Sequence, residues 1–317
     1  MSHDPPDDGP RNDEQLRDAV ERARSGAPAA GKAVRDRFSA DEIFQRVVAT
    51  ANEEVDESTR KLFFSGLAAG FAITLTFLLQ SSVTAVIPGP LAHLLGAALY
   101  PLGFVYIIMG RYQLYTENTL PPVALVLERI ASVPTLLRVW TTVLAANLAG
   151  GIAGAFVLAN TGVMSPETAA TATELGLAGV DAGWWDLFFK AVFAGWLVAG
   201  VVWLEHAVRD SISRFVLVYV VFLAIPAAES YHVVVSACEA FFLVFVGEAA
   251  VLGVLWGFVL PVLLGNTVGG VFLVTLVNYG QTENRLFDAE SVPSRLPTRE
   301  WLLGVRGRTD TAATDSD

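Results

Sequence analysis

Apolar positions dominate the middle of the chain in six long runs, and this pattern predicts a polytopic membrane protein. A helix needs about 20 apolar residues to cross the hydrocarbon of a bilayer. We therefore expect an all-α fold with six transmembrane helices. The runs lie near residues 61–83, 91–128, 133–159, 184–205, 212–248 and 250–279.

The second and fifth runs are too long for one plain helix, and polar residues interrupt both. "GRYQLYTENTLPP" breaks the second run at residues 110–122, and "PAAESYHVVVSACE" breaks the fifth at residues 226–239. Non-helical backbone survives at membrane depth only where it is buried in protein or lines a water-filled cavity. Charges at that depth cost at least about 2.5–3.5 kcal/mol each. Each run is therefore predicted to form two half-helices around an inward-facing loop.

A short motif recurs once in each half of the chain. The third run contains "NLAGG", which begins at Asn147, and the sixth contains "NTVGG", which begins at Asn266. Each motif closes a group of three crossings, so two groups in tandem form a 3+3 inverted repeat, which commonly builds a site at the membrane midplane. Each Asn is expected to hydrogen-bond the exposed backbone of a broken helix. Ordinary helix packing is the alternative explanation of either motif alone.

The charges are concentrated at the two ends of the chain. Residues 1–60 hold 14 acidic and 9 basic side chains, residues 281–317 hold 7 and 5, and the 220 residues between them hold only 11 and 7. A membrane domain with two polar tails explains how 53% hydrophobic residues coexist with a net charge of −11. We expect an acidic, largely disordered tail at 1–38, an amphipathic helix at 39–60, a six-helix transmembrane domain at 61–280, and a C-terminal tail at 281–317.

The segment before the first run is predicted to be an amphipathic helix on the cytoplasmic face. Ser39 and Glu42 stand at capping-box spacing. Its apolar residues recur at helical intervals: Ile43, Val47, Val48 and Ala51. A merely solvated acidic helix is the alternative. Residues 1–25 and 305–317 are expected to be disordered.

Basic residues fall on one side of the predicted topology. The connections after the second and fourth runs, with the adjoining helix starts, carry Arg129, Arg138, Arg209 and Arg214. Those after the first, third and fifth runs lack Lys and Arg and contain acids, namely Glu167, Glu174 and Asp181. The positive-inside rule then puts both termini in the cytoplasm of a multi-pass protein of the cell membrane. "MSHDPPDDGPRNDEQ" has no apolar stretch, so no cleaved secretory signal is expected.

Composition limits the chemistry. Cys238 is the single cysteine, which leaves no intrachain disulfide and no cysteine-based zinc site. We expect no metal, no cofactor and no nucleic-acid partner. The use of 3 lysines against 18 arginines and 32 acids suggests a high-salt cytoplasm. An intramembrane protease would use Ser230 or Ser236 activated by His232, but no Gly-x-Ser-x-Gly turn supports an enzyme.

Four stretches of the chain resemble the formate/nitrite transporter family. The stretches are "PLGFVYIIMGRYQLYTENTL", "VWTTVLAANLAGG", "FAGWLVAGVVWL" and, most specifically, "LPVLLGNTVGGVFLV". The resemblance runs in unbroken order from about Ala40 to Tyr279. It implies an aquaporin-like six-helix protomer, a homopentamer with one pore per subunit, and passage of small monovalent anions.

The resemblance also implies pore residues. The broken second helix of typical members carries Leu-Phe-Thr, which corresponds here to Leu114, Tyr115 and Thr116, and His232 falls on the position of the pore histidine in the fifth helix. Asn118 completes this candidate pore set together with Ser236, which stands where the family has an asparagine.

Several departures indicate a divergent branch of the family. Glu229-Ser230-Tyr231-His232 stands for a typical Glu-His-Ser, Gly195 replaces a usual asparagine, and "GLAGVDAGWWD" lacks the usual lysine. Larger polar residues replace smaller ones in the second break: Arg111, Gln113 and Glu117. The particular substrate therefore does not carry over from the family.

A histidine in such a pore has a clear chemical use. A small anion loses most of its hydration in a low-dielectric constriction, and a pore that binds it tightly traps it. Because an ordinary histidine titrates near pH 6.5, His232 can share or donate a proton, so that the permeant crosses as a neutral acid. Thr116 and half-helix N-termini would position it. The alternative is a structural histidine bonded to Glu229 or Glu239.

Arg111 needs an explanation of its own, since an arginine at this depth requires a partner. Our preferred hypothesis is a buried ion-pair network that fixes the loop, with Arg111–Glu117 or Arg111–Glu239 as the first pairs to test. Gln113 and Glu229 are the other polar members of this set. The alternative makes Arg111 the anion-attracting charge in place of the missing lysine. His206 is expected to be an interfacial residue.

Other classes of membrane protein explain less of the pattern. A water or neutral-solute channel of the same fold is the main alternative, but the two Asn-Pro-Ala boxes of aquaporins are absent from the sequence. A non-transporting membrane anchor would not need two polar breaks.

Overall fold

The computed structural model describes residues 37–283, apart from 88 and 90, and residues 295–304. Both segments expected to be disordered, and most of the two predicted tails, lie outside these residues. The described part is helical and contains no strand. The fold below is that of the contact unit Ser39–Asp317.

The helices of the described residues are, in chain order, α1 (Ala40–Val55), α2 (Thr59–Val86), α3 (Leu91–Leu99), α4 (Pro101–Met109), α5 (Pro121–Leu127), α6 (Val133–Asn160), α7 (Pro166–Val180), α8 (Trp184–Ala207), α9 (Ser211–Ala227), α10 (Val233–Val246), α11 (Val251–Gln281) and α12 (Thr298–Leu303). Two stretches of α11 are π-helical, Leu255–Val259 and Gly269–Leu276. The all-α fold class is confirmed.

Five of the six predicted crossings correspond to helices long and apolar enough to span a bilayer. These are α2, the α3–α4 segment Leu91–Met109, α6, α8 and α11, counted among the described residues. The fifth predicted crossing is formed by two shorter apolar helices, α9 and α10. The total of six crossings stays a prediction.

Helix α1 begins with the expected capping box. Ser39 Oγ accepts from the Glu42 N–H at 3.2 Å, and the Glu42 carboxylate accepts from the Ser39 N–H at 2.7 Å. One apolar face is fully buried, including Phe44, Val47 and Ala51. Because this face packs against α5 and α8, the amphipathic helix is part of the protein bundle and not a free helix on the membrane.

The break in the second run follows a left-handed turn. After α4 ends at Met109, Arg111 has φ of 56° and the Tyr112 N–H donates to Ile107 O at 2.9 Å. A loop and one 3-10 turn, Glu117–Thr119, then lead into α5, whose first residues are prolines. Proline is favoured at a helix start because its fixed φ suits the first turn and its missing N–H is not needed there.

The break in the fifth run repeats this local structure. After α9 ends at Ala227, Glu229 has φ of 48° and the Ser230 N–H donates to Ile225 O at 2.9 Å. His232 is extended and immediately precedes α10. Two left-handed residues that are not glycine, each closing the first half of a broken run, indicate that the two breaks are equivalent.

Asn147 of α6 supports the first break with three hydrogen bonds. Its Oδ1 accepts from the Tyr115 N–H at 2.8 Å. Its Nδ2 donates to Gly66 O at 2.8 Å and to Gln113 O at 2.9 Å. Asn147 is fully buried, so it pairs backbone groups that the loop exposes inside the bundle.

Asn266 of α11 makes the matching bonds at the second break. Its Oδ1 accepts from the Val233 N–H at 2.8 Å, and its Nδ2 donates to Ala191 O at 2.8 Å and Tyr231 O at 2.9 Å. The role expected for both asparagines is thus observed. The correspondence also makes Leu114 and His232 equivalent positions, each lying between the two loop residues that bind the asparagine.

Close helix contact explains a glycine beside each asparagine. A Cβ on Gly70 of α2 would lie 2.3 Å from Asn147 O, and one on Gly195 of α8 would lie 2.2 Å from Asn266 O. Accordingly α2 packs along α6 in the first half, as α8 packs along α11 in the second. Gly195 is therefore required by packing, although the resemblance implied a larger residue there.

Helix α7 was not predicted. Ser165 caps it, accepting from the Thr168 N–H at 3.2 Å, and Pro166 occupies the first turn. The helix packs against α2 and α10 and carries two of the acids of the third connection, Glu167 and Glu174. The Ser-Pro-Glu start is a helix signal that a search for long apolar runs overlooks.

A C-terminal segment docks beside the end of α5. The Leu296 N–H donates to Arg129 O at 2.8 Å, and Trp301 Nε1–H donates to Val126 O at 2.8 Å. Arg129 lies over the Trp301 ring, 4.9 Å from its centroid. This part of the predicted tail at 281–317 therefore packs against the membrane domain.

Candidate permeation site

Two cavities approach the centre of the bundle from opposite directions. The α1-side cavity, about 320 Å³, is lined by Glu54, Arg111, Gln113, Glu117, Asn118 and Glu205 among others. The α7-side cavity, about 440 Å³, is lined by Tyr100, Lys190, Glu229, His232, Ser236 and Glu239 among others. The first break faces the α1-side cavity and the second break faces the α7-side cavity.

Thr116 and His232 join the two breaks at the centre. Thr116 Oγ1 lies 2.7 Å from His232 Nε2, and both residues are buried. Phe104 places its ring edge-on to the imidazole, 4.9 Å between centroids, and stacks on Phe222. The expected proximity of Thr116 and His232 is therefore observed, with aromatic rings packed against the imidazole.

The second ring nitrogen of His232 has a different environment. Nδ1 is buried and has no hydrogen-bond partner among the described residues. The hydrogen bond of Nε2 goes to Thr116, and none is observed to Glu229 or Glu239. The alternative of a histidine fixed by those two acids is thus not supported by the structure.

Leu114 and Tyr115 are not among the residues that line either cavity. Leu114 is fully buried. The Tyr115 hydroxyl lies 2.9 Å from Thr267 Oγ1, and the Tyr115 ring packs edge-on against Trp140. The hydroxyl that distinguishes Tyr115 from the family's phenylalanine is therefore paired with the second half of the protein.

Gln113 and Asn118 stiffen the loop on the α1 side. Asn118 Nδ2 donates to Gln113 Oε1 at 2.8 Å and to Leu114 O at 3.1 Å. The Gln113 N–H donates to Ser65 Oγ at 3.0 Å, and Trp140 Nε1–H donates to Asn118 O at 2.8 Å. Because α2 and α6 supply these contacts, the loop is held from two sides.

The ion pairs preferred for Arg111 are wrong. Arg111 is exposed in the α1-side cavity, whereas Glu239 lines the α7-side cavity. Glu117 shares the cavity of Arg111, but no Arg111–Glu117 ion pair forms among the described residues. The acid that interacts electrostatically with Arg111 is Glu205 of α8. Arg111 and Glu239 therefore belong to different cavities and do not pair.

Glu229 has a partner that the sequence did not suggest. Lys190 of α8 donates to Glu229 Oε2 at 3.2 Å, and both line the α7-side cavity. The predicted polar network is therefore divided between two cavities. Although the third connection lacks a lysine, α8 supplies one to the same cavity as His232. A lone lysine within "FFKAVF" was the available signal.

The α1-side cavity carries charges of both signs. Burial raises the pKa of Glu54 to about 7; a hydrogen bond with Gln113 opposes the shift, and the neighbouring carboxyls of Glu57, Glu205 and Glu53 add to it. The basic side chains that line this cavity are Arg46, Arg111 and Arg214. Arg214 Nε lies 3.9 Å from Glu205 Oε2. His206, expected at an interface, links α8 to Thr50 of α1 at 3.2 Å.

The described residues offer no metal cluster and no catalytic serine. No group of three or more His, Cys, Asp or Glu side chains in the described part could hold a metal ion. Ser230 Oγ bonds Ala228 O, and Ser236 Oγ has no partner among the described side chains. Neither serine hydroxyl is hydrogen-bonded to the His232 imidazole, so the arrangement needed for a serine nucleophile is not formed among the described residues.

Two separate cavities, each with charged side chains in its lining and each facing one of two broken helices inside an apolar bundle, are typical of a membrane transport protein. The family model described as formate/nitrite transporter matches residues 41–280. The chain belongs to the formate/nitrite transporter family, whose members are channels and transporters and not enzymes.

Individual relatives agree with this assignment. The chain is 28% identical to the inner membrane protein YfdC of Escherichia coli strain K12, over 80% of this chain and 82% of the relative. It is similar to a solved FNT family ion channel, with a TM-score of 0.70 and 20% identity, covering 76% of this chain and 99% of the other. A pentameric formate channel solved with formate bound gives a TM-score of 0.60 and 20% identity, over 70% and 96% of the two chains.

Proposed function

We propose that the chain passes small monovalent anions of weak acids, such as formate and nitrite, through a central pore in which His232 shares or donates a proton. The observation that carries this proposal is the 2.7 Å contact between Thr116 Oγ1 and His232 Nε2, where the two cavities approach each other. The family assignment and the name of the solved formate channel support the substrate class.

The apolar centre explains why a proton is needed. Phe104 and Leu114 are fully buried beside the Thr116–His232 contact. An anion that enters such a constriction loses its water shell, and a fixed charge strong enough to replace that shell would also retain the anion. A shared proton from His232 neutralises the permeant for the length of the apolar passage and leaves no charge behind in it.

Positive groups in both cavities favour the approach of anions. Lys190 lines the α7-side cavity, and Arg111 lines the α1-side cavity together with two further arginines. Cavities lined by charge raise the local concentration of counter-ions. Arg111 therefore acts as an anion-attracting charge and not as a buried structural anchor.

The α1-side cavity is proposed to face the cytoplasm. Arg138 donates to Val55 O and Glu57 O, which ties α1 to the connection after the second run. Helix α12 docks on the same connection through Arg129. Both described ends of the chain thus lie beside the arginine-bearing connections that the positive-inside rule assigns to the cytoplasm.

The working unit is proposed to be a homopentamer in the lipid of the cell membrane, with one pore in each subunit. Its support is the fold shared with the solved pentameric channel. Large apolar side chains such as Phe189, Phe193 and Trp196 are exposed on α8 of the single chain, available to a neighbouring subunit or to lipid.

Uptake into proteoliposomes tests the proposed function. Vesicles with the full chain are expected to take up labelled formate or nitrite faster than empty vesicles, and to gain internal protons together with the acid. Faster water or glycerol entry without anion uptake would favour the neutral-solute channel. Vesicles that match empty ones for every solute would contradict a transport role.

A further inference from the structure

Three polar side chains lie along one face of α10, starting at the central histidine. His232 directly precedes the helix, Ser236 follows one turn later, and Glu239 comes three residues after Ser236. Residues three and four apart are neighbours on a helix surface. All three line the α7-side cavity. They form a polar line from the centre of the bundle into that cavity.

Each member of this line is at least nine-tenths buried, with exposed fractions of 1%, 1% and 9%. His232 Nδ1 and Ser236 Oγ have no hydrogen-bond partner among the described residues. Glu239 forms no ion pair with the one lysine of the cavity, because Lys190 pairs with Glu229. A buried carboxylate without a cation is costly, so Glu239 needs a positive or proton-donating partner.

We propose that Glu239 is a positioning residue for His232. Acting through Ser236 and water in the cavity, it holds the proton of the imidazole on Nδ1. Nε2 is then the nitrogen that accepts from the Thr116 hydroxyl and exchanges a proton with the permeant. This inference rests on the proposed proton sharing at His232 and names the group that prepares it.

His232 would act as a base towards the permeant, and Glu239 would be the third group that orients it. With Nδ1 protonated, the neutral ring offers its lone pair at Nε2, 2.7 Å from Thr116 Oγ1. When Nε2 also takes a proton delivered from solution as hydronium through the cavity water, the imidazolium can give that proton to an anion beside Thr116. The acid leaves neutral, the ring returns to the same Nδ1–H form, and the carboxylate of Glu239 is unchanged.

Other titratable groups also face this cavity and belong to the same electrostatic environment. From the elements around α10 they are His93, Tyr100, Glu174, Lys190, Glu229 and Tyr231. Glu174 is exposed and lies on α7, whereas Glu239 lies on α10, the helix that His232 directly precedes. It provides a matched control for the removal of a carboxylate from the same cavity.

Nitrogen NMR on histidine-labelled protein in lipid vesicles tests the inference without any transport. The His232 signal, identified by its loss in His232→Asn, should report the Nδ1–H form in the wild type. Glu239→Gln should move that signal towards the Nε2–H form, and Glu174→Gln should leave it in place. An unchanged His232 signal in Glu239→Gln would overturn the positioning role.

Formate uptake gives the second readout. Losing the negative partner of the imidazolium should move the midpoint of the uptake pH profile about one unit lower in Glu239→Gln. Glu239→Asp, which keeps the carboxylate, should restore most of the shift, and it serves as the test if Glu239→Gln does not assemble. A midpoint unchanged by Glu239→Gln, or a loss of rate equal at every pH, would overturn the inference. Wild-type vesicles without formate uptake would contradict the proposed function, whereas the NMR result stands apart from it.

Discussion

Thr116 Oγ1 and His232 Nε2 lie 2.7 Å apart although 116 residues separate them in the sequence. Each residue belongs to a different broken run, so their hydrogen bond ties the two halves of the chain together at the centre of the bundle. Asn147 and Asn266 hold the backbone on either side of this contact by matching sets of bonds. Two equivalent loops thus form the contact. His232 in the second loop occupies the position equivalent to Leu114 in the first.

Asn147→Ala should destabilise the protein strongly. The substitution leaves Gln113 O and the Tyr115 N–H buried without the partner that Asn147 supplies, and each such group costs about 1–3 kcal/mol. Thermal unfolding of the detergent-solubilised oligomer should show a lower midpoint and a lower yield. Asn160→Ala is the control, because Asn160 is exposed and bonds only Phe156 O of its own helix among the described groups. Equal stability of the two variants would contradict the account of the breaks.

Gly195→Ala should disrupt the contact between α8 and α11. Its Cβ would lie 2.2 Å from Asn266 O, a distance that backbone cannot absorb without moving the second break. Gly200→Ala in the same helix meets nothing within 4 Å and should be neutral or more stable by up to about 1 kcal/mol, since alanine favours helix. Unfolding midpoints of both variants measure this. A tolerated Gly195→Ala would mean that the helices are not in the close contact described.

Arg111→Gly should be more stable than Arg111→Ala by about 0.5–1 kcal/mol. Arg111 has φ of 56°, which glycine adopts without the steric penalty that alanine and arginine share. Both variants remove the guanidinium and should slow anion entry from the α1 side, most clearly at low salt. Because Arg111 has no ion pair with Glu117 or Glu239, neither variant should lose its oligomer. A collapse of oligomer yield in Arg111→Ala would revive the buried network.

Glu54 should make stability depend on pH. Burial raises its pKa from 4.5 to about 7, so folding binds a proton between those values. The contribution of Glu54 to the free energy of unfolding is fully present below about pH 4.5. It falls as the pH rises towards 7 and stays low above that. Glu54→Gln should remove this slope and gain on the order of 1–3 kcal/mol over the wild type at pH 8. Unfolding midpoints of both proteins at pH 5 and pH 8 provide the measurement, and parallel pH curves would contradict the assignment.

The two breaks and their supporting asparagines could be predicted from the sequence. Polar groups inside an apolar run are costly to bury unless they are hydrogen-bonded. Polar residues inside apolar runs, and an Asn before paired glycines, have to meet exposed backbone at a break, and Asn147 and Asn266 do so. The ionic partner of Arg111 could not be predicted from the sequence. It depends on which cavity each side chain faces, and Arg111 and Glu239 lie in opposite cavities.

Other features were missed because their local signals are weak. Lys190 is the one lysine of the apolar helix α8, and its partner Glu229 lies 39 residues further along the chain. Helix α7 is short and connects two long helices, while α12 is fixed mainly by contacts with Val126 and Arg129 that lie far away in sequence. Such contacts follow from the assembled bundle and not from the segment itself.

The central claim is that His232 shares its proton with the permeant, and its most direct measurement is the pH profile of formate uptake by His232→Asn. Asparagine keeps a hydrogen-bonding side chain opposite Thr116 but cannot titrate. Wild-type uptake should change steeply between about pH 5 and 7.5, the range around the ordinary titration of an imidazole. The variant should assemble normally and show a flattened profile, and His232→Phe should strongly slow passage. A properly assembled His232→Asn oligomer that keeps the full wild-type pH dependence would contradict the claim.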